Sequence, residues 1–251
     1  DRKAVLFPGG RTSPVQLGSY QEMVFHRDIK KKISFAYTWD MPEAMEIKDP
    51  NTNKTFRGGE LAFEAEIGQG KKGQHALVLE HFKYQLLNNT KEILSVSLNK
   101  KSTAEFEYEA ESAGYNLTRK LGRAWSLKGA ARFYGFPDEV VAYYQNADFV
   151  QEINLQHENL YRSLFYLGPL RTKAERLYSW TGIEPESVGF AGENTIAAIL
   201  AARNRKLSLR YKVKTEPFEK IIALKLQEMG LIDKFEVKTI TSDRQEYEKK
   251  F

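Results

Sequence analysis

The residues of this chain best placed to meet a phosphate lie within a short stretch. Arg203, Arg205, Lys206 and Arg210 gather at the end of one expected helix and its exit, where guanidinium and ammonium groups can contact a nucleic-acid backbone or simply face solvent. Arg171, just after Gly168-Pro169, can present its planar fork to a phosphate or to a carboxylate across an interface. The competing reading is an internal ion pair with Glu175 or Glu193. Glu193 sits where a helix is expected to begin, so its charge suits the positive end of that helix better than it suits catalysis.

Other chemistry is harder to assemble. The four histidines, His26, His75, His81 and His157, have no metal-ligand spacing and read as surface or satisfied core residues. The chain has no cysteine, which excludes a disulfide framework, a thiolate zinc site and a cysteine nucleophile. No G-x-S-x-G elbow, H-E-x-x-H pair or G-x-x-x-x-G-K-[ST] loop occurs, and no apolar run leads into an Asp-Glu pair. Gly68, Gly70 and Gly73 do spell G-x-G-x-x-G, but that motif needs a strand running into a helix whose first amides hold a pyrophosphate. Here both flanks alternate like strands, and Lys71 and Lys72 are expected on a hairpin tip.

The elements that must position these residues fall into two halves, expected at about 1–135 and 136–251. From Ile33 to about Leu121 the apolar residues recur every second position, as in Leu61, Phe63, Ala65 and Ile67. Runs at His75–Leu87, Glu92–Leu98, Ala104–Glu109 and Tyr115–Leu121 follow, with turn residues at Asn88-Asn89 and Asn99–Ser102. Strands joined so closely must be antiparallel, giving a meander with one polar face. Helices are expected at Ala147–Leu164, capped by Asp148 with Phe149, Ile153, Leu160 and Leu164 inward, from Glu193 onward, and at Pro217–Met229 stopped by Gly230. Phe235–Thr241 and Gln245–Phe251 read as closing strands. The fold class is therefore mixed α+β: an antiparallel meander followed by an α/β lobe.

Composition narrows the setting. The 38 basic and 33 acidic residues leave a net charge of +5, which permits a DNA or RNA partner without requiring one. No apolar run near membrane-spanning length and no signal peptide is present, and the sequons at Asn53, Asn88 and Asn116 read as chance, so a cytoplasmic location is expected.

One long connection stands out. From Tyr166 to Glu193 the chain reads YLGPLRTKAERLYSWTGIEPESVGFAGE, with prolines at 169 and 185 and glycines at 168, 182, 189 and 192. It is expected to join a strand, SLFYLG, to the helix from Glu193. Loops this long are functional or disordered, and Tyr178, Trp180, Val188 and Phe190 argue for order. The two rings could stack on a base or partner, or be buried under the loop.

The blocks YLGPLR, YSW-x-G and SVG-x-x-GE, together with Leu17-Gly18-Ser19-Tyr20 and Val24-Phe25, resemble a large family of prokaryotic AAA-type ATPases. These are of ABC/SMC-like type, related to the overcoming-lysogenization-defect (OLD) nucleases and to the ATPases of phage-defence systems such as Septu and retrons. The resemblance implies a head that binds ATP and Mg2+ between two copies, hence a homodimer. It also implies an effector protein (a nuclease or toxin) and a DNA or RNA target. It would make Gln21 a metal-sensing loop glutamine. In the family's order the Walker A loop precedes Asp1, and the signature helix, Walker B and switch histidine follow Phe251. The chain thus resembles the middle of such a head and is expected not to hydrolyse ATP alone. Two other readings stay open: an ATP-independent nucleic-acid-binding module, and a scaffold completed by partner chains.

Overall fold

The computed structural model describes residues 5–10, 13, 15–70, 77–102, 106–111, 114–122, 126–130, 132–169, 171–175 and 177–238. Contacts divide the chain into two compact units, residues 1–164 and 165–251. The mixed α+β class holds, with a five-stranded antiparallel sheet, helices and a small two-stranded sheet.

In the first unit β1 (Ile33–Lys48), β2 (Thr55–Gln69), β3 (Leu77–Asn88), β4 (Lys91–Lys100) and β5 (Phe106–Glu111) pair strictly with their sequence neighbours. The alternation in sequence becomes cross-strand rows. Tyr37, Phe63, Tyr84 and Val96 stand side by side on the inner face, as do Phe35, Ala65, Phe82 and Leu98. One residue along, Ala36, Glu64, Lys83, Ser97 and Glu109 form a row on the polar face. Asn89 and Thr90 both take positive φ, which closes the tight turn between β3 and β4.

Helix α1 (Tyr20–Met23) opens with a capping box, in which the Ser19 amide donates to Glu22 across 2.6 Å. Helices α2 (Glu139–Tyr143) and α3 (Phe149–Ser163) follow the meander. On α3, Val150, Ile153 and His157 are buried and Tyr161 is half-buried. This stripe differs from the expected one: Leu164 is exposed and Leu160 only half-buried. Asp148 stands at the cap position but makes no side-chain capping bond.

Two of the strands expected before α4 are not strands. Tyr115–Leu121 makes an isolated bridge, Arg119 to Tyr144, rather than extending the sheet. Its Tyr115 hydroxyl instead donates to the Asn146 carbonyl, and Asn146 reaches back to Thr118 and Asn116. SLFYLG is split, because α3 runs on through Ser163 and Leu164–Gly168 has no regular structure.

The second unit holds α4 (Thr195–Asn204), a hairpin of β6 (Ser208–Tyr211) and β7 (Lys214–Pro217), and α5 (Phe218–Glu228). The hairpin was not expected, since its four-residue strands are too short for a period-two signal. Gly230, at φ +67°, ends α5 as expected. Phe235–Lys238 has no assigned strand, and the remainder of the two expected closing strands lies outside the described residues.

Candidate functional site

The long loop folds back on itself. The Gly168 amide donates to the Phe190 carbonyl at 2.6 Å and the Thr172 amide to the Ala191 carbonyl at 2.9 Å, so the first and last blocks of the motif lie side by side. Arg171 donates to the Gly168 carbonyl, within its own turn. Among the described residues it forms an ion pair with neither Glu175 nor Glu193. Glu193 accepts the Ala191 amide at 2.9 Å, just ahead of α4. Gly189 has φ +81°, which favours glycine, and a Cβ there would push the Glu193 carboxylate aside. Asn194 closes the turn by donating its amide to the Val188 carbonyl at 3.0 Å. Arg171 and Glu193 therefore serve the same loop, each holding main chain.

The rings of the motif are fixed by their polar ends. The Trp180 indole donates to the Ile183 carbonyl at 2.9 Å, and the Tyr178 hydroxyl accepts the Glu175 amide at 2.9 Å. They border an apolar groove of about 570 Å³, with Ile196, Leu200, Phe235 and Val237.

The basic set divides. Arg203 places a fork on Glu219, with Nε to Oε2 at 2.9 Å and Nη2 to Oε1 at 2.7 Å. This pair and the Val237 amide hold the Glu219 carboxyl below the usual carboxylate range, against the opposing effect of burial. Arg205 pairs with Glu184. Lys206 and Arg210 are exposed and form no ion pair among the described residues. Tyr211, one residue on from Arg210, meets Lys225 of α5.

Gln21 lies on α1 with its side chain exposed, in the first unit. The same unit has a groove of about 680 Å³, whose charged lining is Glu43, Glu46, Asp148 and Glu152 against Lys48. Its sign is wrong for a phosphate. Gly68 of the glycine triplet pairs with Val78 in the ladder of β2 and β3; Lys71, Lys72 and Gly73 lie outside the described residues.

A polar network in the first unit went unread in the sequence. His157 is wholly buried, 2.7 Å from the Tyr37 hydroxyl at Nε2 and 2.5 Å from the Tyr84 hydroxyl at Nδ1. The Tyr134 carbonyl, 2.5 Å from Tyr84, can only accept, so the Tyr84 hydroxyl donates to it. Nδ1–H of His157 then donates to Tyr84, which leaves Nε2 to accept from Tyr37; Tyr161 in turn donates to Tyr37 at 2.5 Å. Burial pushes the His157 imidazole down to about 3, so it is neutral at ordinary pH. Burial likewise raises the Tyr37 and Tyr84 phenols. A neutral network, buried at His157 and Tyr84 and half-buried at Tyr37 and Tyr161, ties α3 to β1 and β3. The signal was available: Val150, Ile153, His157 and Tyr161 follow a helical 3-4-4 spacing opposite inward-facing tyrosines.

Among the described residues no helix is long and apolar enough to cross a membrane. Comparison with protein-family models, curated proteins and solved structures finds no match to this chain.

Proposed function

We propose that this chain is the central part of an ABC/SMC-like ATPase head, whose full-length form dimerises and couples ATP binding and hydrolysis to nucleic-acid defence or repair. The observation that carries the reading is the motif loop. Its YLGPLR and SVGFAGE blocks lie side by side through Gly168–Phe190 and, one residue past the first block, Thr172–Ala191, which supports reading them as one unit. The order of meander, motif loop and following helix supports it further.

ATP with Mg2+ would supply the reacting phosphates, held by loops that this sequence does not contain. The residues in hand then position. Arg171 and Glu193 stiffen the loop ahead of α4, and Gln21 stands exposed on α1. Lys206 and Arg210, exposed at the exit of α4 and on the hairpin, favour a nucleic-acid contact. They keep alive the second reading, an ATP-independent nucleic-acid-binding or scaffold module completed by partner chains.

Reading the gene on either side of the codons for Asp1 and Phe251 separates the two. A Walker A loop upstream, with a signature helix and Walker B downstream, is expected. Their absence overturns the ATPase reading.

A further inference from the structure

Arg203, in the last turn of α4, and Glu219, in the first turn of α5, do more than pair with each other. Arg203 Nη2 donates to the Val237 carbonyl at 2.6 Å, and Glu219 Oε1 accepts the Val237 amide at 3.0 Å. Both main-chain groups of one residue are thus satisfied by two side chains, as a neighbouring strand would satisfy them. Residues 235–238 alternate half-buried and exposed, with Phe235 and Val237 the more covered pair. They form one wall of the apolar groove whose opposite side carries Tyr178 and Trp180. Among the described residues this segment makes no backbone–backbone hydrogen bond. Its main chain is held by the clamp at Val237 and, upstream, by Gln227 donating to the Asp233 carbonyl.

We propose that the Arg203–Glu219 pair is a main-chain clamp for an extended peptide, occupied in cis by Phe235–Lys238 as a releasable strap along the groove. The clamp reads an amide and a carbonyl, so it selects extended backbone. The groove selects apolar side chains at alternate positions. The strap's own sequence meets both requirements, and among the described residues Val237 is held by side chains only. Opening it exposes Ile196 and Leu200 and frees the clamp for a peptide of the same pattern supplied in trans.

Hydrogen exchange of the Val237 amide in the whole 251-residue chain tests the clamp. Exchange is expected to quicken at least about tenfold in Arg203→Ala and Glu219→Gln, while Lys234→Ala leaves it unchanged. A labelled peptide copying residues 233–238, DKFEVK, tests the exchangeable site. In Val237→Pro the strap loses the N–H that Glu219 accepts without disturbing the helices, and circular dichroism checks that they persist. The peptide is expected to bind this variant more tightly than the unaltered chain, and to lose that binding when Arg203→Ala is added. The proposal is overturned by unchanged Val237 exchange in both clamp variants. It is equally overturned if the peptide fails to bind Val237→Pro up to about 1 mM, or binds regardless of Arg203.

Discussion

The Tyr37 hydroxyl donates to Nε2 of His157 across 2.7 Å, joining the first strand of the meander to a helix 120 residues later. Burial keeps that imidazole neutral. A second proton, on Nε2, would reverse the bond and put a charge among the rings of Phe63, Tyr84 and Tyr134.

The first prediction concerns pH. His157 takes its proton near 6.5 in the unfolded chain but only near 3 in the fold. Between those values the unfolded chain binds more protons, so stability falls as pH drops through the window, by about 1.4 kcal/mol per unit for this group. Carboxylates titrate there as well, so the comparison is with His157→Gln. Urea midpoints from pH 7 to pH 4 are expected to fall more steeply in the unaltered chain than in the variant. Equal slopes would refute the buried neutral imidazole.

Removing the network's hydroxyls separates its members. Tyr84→Phe strands two buried partners, Nδ1–H of His157 and the Tyr134 carbonyl, whereas Tyr37→Phe strands Nε2 of His157 and the hydroxyl of Tyr161, a half-buried residue. Each buried group left unpaired costs about 1–3 kcal/mol. Denaturant titration is expected to find Tyr84→Phe the more destabilised. A loss within about 0.5 kcal/mol for both would place the network at the level of ordinary surface positions.

In the motif loop, Gly182→Ala and Gly189→Ala share a left-handed backbone, at φ +84° and +81°. Each is expected to lose about 1 kcal/mol on that account. Only at Gly189 does the new methyl also displace the Glu193 carboxylate from the Ala191 amide. Gly189→Ala is therefore expected to speed exchange at Ala191, and Gly182→Ala to leave it alone. Equal effects would mean that the Glu193 contact does not organise the turn.

Much of the first unit was legible from sequence because its signal is a strict alternation. Phe63 and Tyr84 announce the inner face and Glu64 and Lys83 the outer, and Asn89 marks a turn that needs positive φ. Tyr115–Leu121 shows the same alternation yet bonds to the segment around Asn146, through main chain at Lys120 and Gln145 and through the Asn146 side chain. The α3 stripe differs from the expected one because His157 and Tyr161, paired in the network, pack with the core, while Leu164 lies past the end of the helix. At the candidate site, sequence grouped four cations by proximity. It had no means of placing Glu219, 16 residues on, against Arg203, or Glu184, 21 residues before, against Arg205.

That pairing yields a prediction about nucleic acid. Arg210 is exposed and Arg203 already holds a carboxylate. For binding to duplex DNA, Arg210→Ala is expected to reduce the slope of log K against log salt by about 1. Arg203→Ala is expected to leave that slope in place. The reverse order would mean that the phosphate path runs through the clamp.

The central claim is that the chain belongs to an ATP-dependent dimerising head. Light scattering on the whole product of its gene, with and without ATP and Mg2+, addresses this most directly. A doubling of mass on adding ATP, reversed when nucleotide is removed, is the expected result. A mass indifferent to nucleotide, together with DNA or RNA binding that does not depend on ATP, would contradict the account and leave the binding-module reading in its place.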